Sequence, residues 1–426
     1  MSTPQPTIKV IGRRLGVADH RLRDYLTRTA QPYEWIEADT PDAEELLRAH
    51  HALGAELPVA IEDGEAIEAA TIQKLAERWG VTAPPSRSAY DVAIVGAGPA
   101  GLAAAVYAAS DGFSTVVVDR DVPGGQASHT SMIENFFGFP DGIGGAELAR
   151  LAGRQAKRFG AELISLREST EGRHDGEKTF TVRLEGGHCV EASVVIAASG
   201  MSWRRLEVEG VDDLLGRGVY YGAGRSEAAQ CGGENVIVVG AGNSAGQAAL
   251  NLGNAGAEVT MLVRGDRLGK SMSAYLVERI EAHPRVSVRL DSLVAAVHED
   301  GEQLVAVTVM AKDGKAQQLP ATALFICIGG KPCTDWAGDS GLRVGPAGYV
   351  LTGPDLLHDG KPPAEWPLAR DPLALETSIP RLFAAGDVRH GSTKRVGAAV
   401  GDGAMAVALA FRSLEESHQA GQGTRL

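Results

Sequence analysis

Residues 91–101 read DVAIVGAGPAG. An apolar strand, 92–95, runs into Gly96-x-Gly98-x-x-Gly101, and an alanine-rich helix follows over 102–110. The next apolar strand, 114–119, ends in an acid, Asp119, twenty-three residues after Gly96. Each part has a physical task. Gly96 makes the tight turn, Gly98 lets the backbone approach a pyrophosphate, and Gly101 lets helix pack on strand. The helix start offers unpaired N–H groups and the positive end of its dipole. Asp119 can accept a pair of ribose hydroxyls. Strand, turn, helix and acid together predict a dinucleotide-binding α/β unit.

The pattern recurs in ENVIVVGAGNSAGQAALNLGNAGAEVTMLVRG, residues 234–265. A strand over 236–239 leads into a turn formed by Gly240, Gly242, Asn243, Ser244 and Ala245. A helix and a second strand, 259–263, follow. The same offset of twenty-three from Gly240 lands on Val263, with Arg264 next to it. The ribose acid is missing and a cation stands beside its place. A carboxylate there would repel a 2′-phosphate, and an arginine would bind it. The second site is therefore expected to prefer NADPH over NADH, with Arg267 and Lys270 as weaker helpers. Two dinucleotide sites in one chain suggest FAD and a nicotinamide, one passing hydride to the other. The cofactors carry such chemistry and the protein orients them. No metal-ligand cluster is apparent, and His50-His51 reads as a solvated helix face.

Composition agrees with this reading. The chain has 426 residues, enough for about two to four domains. Its 53 glycines show no every-third-residue period, and four cysteines make no disulfide framework. A net charge of −13 without a basic tract argues against a nucleic-acid partner. No apolar run reaches the roughly 18 residues that cross a membrane. The start, MSTPQPTIKV, lacks a signal-peptide core.

The first 84 residues differ from the rest. Strands are expected at 7–12 and 33–38, and helices at 18–30, 41–53 and 71–80. A hairpin over 57–67 turns at Asp63-Gly64. The order β-α-β-α-β-β-α resembles the thioredoxin and glutaredoxin fold, with Leu57-Pro58 where that fold places its cis-proline. Its redox form needs a cysteine at the start of the first helix. This chain has none before residue 189. A docking or stabilising module without dithiol chemistry is expected, joined to the rest by a linker at 85–89.

From about residue 89 to its end the chain resembles the low-molecular-weight, bacterial-type thioredoxin reductases. GAGPAG (96–101) is followed at the family's distance by Gly124-Gly125-Gln126 and by Ile133-Glu134-Asn135. IPRLFAAGDVR (379–389) matches the family's closing flavin motif. The resemblance implies that Gly125, Gln126 and Asn135 line the flavin and that Asp387 faces its ribityl chain. Lys394-Arg395-Val396 stands where the family has Arg-Gln-Ala at the flavin pyrimidine edge, so Arg395 and Val396 are expected there. The implied fold is α/β, with two Rossmann-like domains behind the small N-terminal one. A flavin domain, 90–206 and 326–426, carries an inserted nicotinamide domain, 207–325. A cytoplasmic homodimer is implied as well.

One departure matters. The family's Cys-x-x-Cys, counted back from Val236, falls on Ala223-Gly224-Arg225-Ser226. Ala223 and Ser226 thus replace both sulfurs, while the following acid survives as Glu227. Some relatives also lack the pair, among them ferredoxin–NADP reductases of this fold and bacillithiol disulfide reductases. Among this chain's own thiols, Cys189 reads as part of a buried strand approach, Cys231 as unpartnered, Cys327 as strand core and Cys333 as exposed. Electrons are expected to pass from NADPH through FAD directly to an acceptor: a small disulfide, a carrier protein, a quinone or dioxygen. Two alternatives stay open. One is a thioredoxin reductase working through other cysteines, such as Cys327 with Cys333. The other is a non-catalytic, flavin-bound regulatory protein. The long loop 352–378, with Trp366 and Pro367, reads as packing or as a cover for the cofactor. The last residues read as disordered.

Overall fold

The computed structural model describes residues 7–174, 179–222, 225–270 and 272–422. The N-terminal unit follows its hydrophobic pattern. Strand β1 (Ile8–Gly12) sends Ile8 and Val10 to one face and Ile11 to the other. Helix α1 (Val17–Arg28) covers the first face with Leu22, Tyr25 and Leu26. After β2 (Tyr33–Glu37), helix α2 (Pro41–Ala49) covers the second face with Ala43. Strands β3 (Val59–Glu62) and β4 (Glu65–Ile67) form the hairpin, and helix α3 (Ile72–Arg78) closes the unit. The sheet order is β2-β1-β3-β4. Asp63 and Gly64 take φ of 51° and 84°, the left-handed pair such a turn requires. The Leu57-Pro58 bond is cis. Helix α2 ends four residues before its expected limit. His50 is therefore not a solvated helix-face residue: it caps α2, and its Nδ1 lies 2.8 Å from the Gly64 carbonyl.

The next strand, β5 (Ala89–Val95), already includes the last residue assigned to the linker. Ser86 is tied to Glu162 through its backbone N–H at 2.7 Å. Helix α4 (Pro99–Ser110) starts three residues earlier than expected, because Pro99 and Ala100 belong to its first turn. Strand β6 (Thr115–Val118), helix α5 (Gly145–Arg158) and strands β7 (Glu162–Ile164), β8 (Ser169–His174), β9 (Phe180–Leu184) and β10 (Cys189–Ala197) follow. They form one sheet in the order β7-β6-β5-β10-β9-β8. Its β7-β6-β5-β10 part is parallel, as crossover helices demand.

The chain leaves this half along β11 (Met201–Trp203). It then builds a second sheet from β12 (Val219–Tyr221), α6 (Arg225–Ala228), β13 (Asn235–Val239), α7 (Asn243–Asn254), β14 (Glu258–Leu262), α8 (Ala274–Ala282) and β15 (Val286–Arg289). An antiparallel excursion, β16 (Ser292–Asp300), β17 (Gln303–Ala311) and β18 (Ala316–Pro320), precedes β19 (Ala323–Ile326). The order β12-β19-β13-β14-β15 is parallel throughout. The expected boundary at 325 falls inside β19, one residue before its end.

Strand β20 (Gly330–Pro332) returns and pairs antiparallel with β11, so a two-stranded ribbon joins the halves. Strand β21 (Leu382–Ala384) then adds to β10 in the first sheet. The final helix, α9 (Val396–Gln422), runs on where disorder was expected at the end; residues 423–426 lie outside the described residues. By length and composition α9 is apolar enough to cross a membrane. The sequence count missed this because scattered polar residues break the run. Its Ala399, Ala406, Val407 and Ala410 are buried with the residues of α4. A Cβ on Gly403 would stand 2.1 Å from the Ala100 carbonyl oxygen, so the two helices touch backbone to backbone. Trp366 is buried in its own loop, donating to the Arg370 carbonyl at 2.6 Å. Arg370 in turn pairs with Glu416 of α9. The long loop therefore packs on the last helix.

Candidate functional site

The first glycine turn has the shape its sequence requires. Gly96 has φ of 108°, and a Cβ there would sit 2.2 Å from the Ala198 carbonyl. A Cβ on Gly101 would sit 1.8 Å from the Gly96 carbonyl. Gly98 is different: its Cβ direction meets nothing within 4 Å. Its backbone faces open space at the start of α4, where an anion would approach.

Distant segments converge on this turn. The Gly124 N–H donates to the Ala97 carbonyl at 2.7 Å. A Cβ on Gly125 would lie 3.3 Å from the Gly98 Cα, and one on Gly386 would lie 2.8 Å from the Ala100 Cβ. Asp119 accepts the Ala97 N–H at 2.5 Å and the Asp121 N–H at 2.9 Å. Burial outweighs these bonds and pushes its carboxyl up to about 6. Gln126 donates to the Met201 carbonyl at 2.8 Å, so it also braces the ribbon. Asp387 accepts the Ser392 hydroxyl at 3.1 Å, and burial pushes it upward too. Asn135 and Arg395 are exposed, and Val396 opens α9. Sequence reasoning missed Asp402, which accepts the Gly386 N–H at 3.1 Å and pairs with Arg389. An acid between two glycines in an apolar helix was the available signal.

The second turn repeats the geometry. Gly240 has φ of 143°, and its Cβ would meet the Cys327 carbonyl at 2.3 Å. Gly242 again opens onto space, and Ala245 is buried. Asn243 is committed elsewhere: its side chain accepts the Ser273 N–H at 2.8 Å and donates to the Ser273 hydroxyl at 2.9 Å. Ser244 hydrogen-bonds the Cys327 thiol. Arg264, Arg267 and Lys270 are all exposed just beyond β14. The two halves meet beside the turns. Gln247 donates to the Met132 carbonyl at 3.2 Å, and Arg279 pairs with Glu134 at 2.7 Å.

Ala223 lies outside the described residues. Ser226 is buried, and its hydroxyl donates to Glu227 at 2.6 Å. Glu227 is buried as well, with His20 Nδ1 of α1 2.8 Å from its carboxylate. Burial pushes Glu227 up, but the contacts with His20 and Ser226 overcome it and the net shift is downward. Arg14 grips Glu234 with both terminal nitrogens, at 2.6 and 2.5 Å. The N-terminal unit thus sits on α6. Burial pushes the Cys231 and Cys327 thiols up to about 12. Cys327 points to the Gly222 carbonyl at 3.4 Å, whereas the Cys333 sulfur lies 3.7 Å from Arg120. Cys189 is exposed, because β10 begins beside the turn to β9 rather than inside the sheet. All four thiols are free. Among the described residues no group of three or more metal-ligating side chains occurs.

The family model for pyridine nucleotide-disulphide oxidoreductases matches residues 90–403. The chain is 31% identical over 330 residues to the thioredoxin reductase of Bacillus subtilis, covering 77% of this chain and 95% of that protein. The crystal structure of T. acidophilum thioredoxin reductase superposes with a TM-score of 0.68 at 27% identity, over 77% of this chain and 99% of that one. That of Lactococcus lactis thioredoxin reductase also gives 0.68, at 29% identity and the same coverage.

Proposed function

The chain belongs to the pyridine nucleotide-disulphide oxidoreductase family, as a thioredoxin reductase-like oxidoreductase, and we propose that it passes electrons from NADPH through FAD directly to an acceptor, without an internal sulfur pair. FAD and NADPH are the cofactors of thioredoxin reductases, and both glycine turns fit such groups: Gly98 and Gly242 each leave a Cβ-sized opening at a helix start. Bound FAD supplies the hydride and electron chemistry. The residues of the chain do the rest. Gly98 lets one pyrophosphate approach the N–H groups that open α4, with Gly96 making the turn and Gly101 letting helix meet strand, and Gly240, Gly242 and Ala245 play the same parts at the other. The backbones of Asn243 and Ser244 complete the second turn. Asp119 accepts ribose hydroxyls. Gly125, Gln126, Asn135, Asp387, Arg395 and Val396 border the flavin. Arg264 holds the 2′-phosphate of NADPH.

The observation that carries the reading is at Ser226. No Cys-x-x-Cys occurs anywhere in the chain, and the position of its second sulfur holds a buried hydroxyl locked to Glu227 and, through it, to His20. A relay through this site has no sulfur to use. The N-terminal unit, 1–84, is read as a thioredoxin-like module without redox cysteines, supported by its element order and its cis Leu57-Pro58 bond. The linker expected at 85–89, whose last residue opens β5, and the domains expected at 90–206, 207–325 and 326–426, with the boundary at 325 moved past Ile326 to keep β19 whole, complete the organisation. The molecule is read as a cytoplasmic homodimer. Exposed Tyr107, Leu151, Met405 and Phe411 on α4, α5 and α9 supply apolar surface for a second copy.

The test is anaerobic addition of NADPH to the FAD-loaded chain, following flavin bleaching. Oxidised thioredoxin, a small disulfide, ferredoxin, a quinone and oxygen are then added in turn. Fast bleaching and fast reoxidation by one of them is the expected result. Thioredoxin turnover abolished by Cys333→Ser would replace this reading with a relay through unusual cysteines. Bleaching that no acceptor reverses would replace it with a regulatory role.

A further inference from the structure

Arg28 is the last residue of α1, in the N-terminal unit, yet only 9% of its side chain is exposed. Its guanidinium is buried against the flavin half. Nη2 donates to Asp121 at 2.7 Å, Nε donates to the Ser128 hydroxyl at 3.1 Å, and Nη1 reaches Asp24 of its own helix at 3.4 Å. The two shorter contacts each end on a segment of the first dinucleotide site. Ser128 is buried, and its hydroxyl donates to the Gly125 carbonyl at 2.7 Å. That bond closes the short turn Gly125–His129, whose first residue lies against Gly98. Asp121 donates its N–H to Asp119, the acid that also holds the Ala97 N–H. One guanidinium therefore stands a single link away from both sides of the cradle. Two neighbours fix this arrangement. Val122 is buried among Ile8, Val10, Leu22, Tyr25 and Leu26 of the N-terminal unit. His129 Nδ1 lies 3.5 Å from Asp24.

We propose that Arg28 is a positioning residue for the flavin site, so that the N-terminal unit completes the FAD cradle instead of merely adjoining it. This rests on the reading that the first glycine turn holds FAD. The physical reason is the rigid fork of guanidinium donors, which can hold a carboxylate and a hydroxyl at a fixed separation. Without it the Asp121 carboxylate, 46% exposed, loses its fixed partner and can turn to solvent, so the segment that feeds its N–H to Asp119 loosens, and the Ser128 hydroxyl is free to leave Gly125.

The test measures FAD affinity of the full chain by quenching of flavin fluorescence, together with visible circular dichroism of the bound flavin. Arg28→Met is expected to weaken FAD binding by about tenfold or more, the loss typical of a hydrogen bond to a charged group, and to change the flavin dichroism. Arg28→Lys recovers only part of the affinity, because a point charge cannot reach both partners. Adding Asp121→Asn to Arg28→Met weakens binding little further, because the link through Asp121 is already cut. Ser128→Ala, a deletion small enough to leave the fold intact, weakens binding in the same direction, and its effect does not add to that of Arg28→Met. Wild-type affinity and dichroism in both Arg28→Met and Ser128→Ala would overturn the proposal while leaving the proposed function standing. A wild-type chain that holds no FAD would overturn both.

Discussion

At the residue scale the glycines separate into two kinds, and substitutions should tell them apart. Gly98 has an extended backbone and open space at its Cβ. Gly98→Ala should leave the stability of the cofactor-free chain within about 0.5 kcal/mol of wild type, yet abolish tight FAD binding by filling the opening. Gly96→Ala meets both a positive φ and the Ala198 carbonyl. It should cost about 1–3 kcal/mol in urea unfolding even without FAD. Asp119 adds a pH dependence. Its carboxyl is pushed up to about 6, and ribose hydroxyls need the ionised form. FAD affinity should therefore fall as pH drops through about 6, and Asp119→Asn should bind weakly with no such dependence. A titration of the FAD dissociation constant from pH 7.5 to 5 checks this.

At the scale of elements, the contact of α4 with α9 is set by small residues. Gly403→Leu would force a side chain into the Ala100 carbonyl and should destabilise the chain by about 1–3 kcal/mol. Gly397→Ala on the same helix meets nothing within 4 Å and should be tolerated. Paired thermal melts decide it. The contact of α1 with the two nucleotide halves is polar instead, so it should respond to acid. Glu227 is held below its ordinary range, and stability from it is present above that range and lost as pH falls through the lowered value. His129 is pushed down by burial and by Arg28, so its unfolded form takes a proton first as pH falls below about 6.5. Stability from its neutral form is likewise present above that pH and lost below it. Amide protection in α1, taken relative to the intrinsic exchange rate at each pH, should fall between pH 7 and 4, before that in the core of α4 does.

At the scale of the whole molecule, one small unit touches both nucleotide halves. Arg14 and His20 hold the nicotinamide half, while Arg28 and Asp24 hold the flavin half. Arg14→Glu would set like charges against Glu234. It should raise exchange in residues 8–28 and 225–234 while leaving β5 and β10 protected, which mass-resolved hydrogen exchange can read. Two glycine turns, their helices and the strands that flank them are visible in sequence because each depends on residues close along the chain. The commitment of Asn243 to Ser273, the exposure of Cys189 and the role of α1 are not. They depend on which surfaces meet after folding.

The sequence by itself determined the two dinucleotide turns and the order of elements around them and in the first 84 residues. Backbone sterics and the periods of strand and helix act locally, so Gly96, Gly240 and the Asp63-Gly64 hairpin can be read without a fold. It also determined that no Cys-x-x-Cys exists. Tertiary structure alone decided what Ser226 and Glu227 meet and how the first unit is used. The partners of Glu227 and Asp121 lie 207 and 93 residues away, in His20 and Arg28. Single polar contacts across such separations leave no periodic trace, because nothing in the neighbouring residues must change to accommodate them.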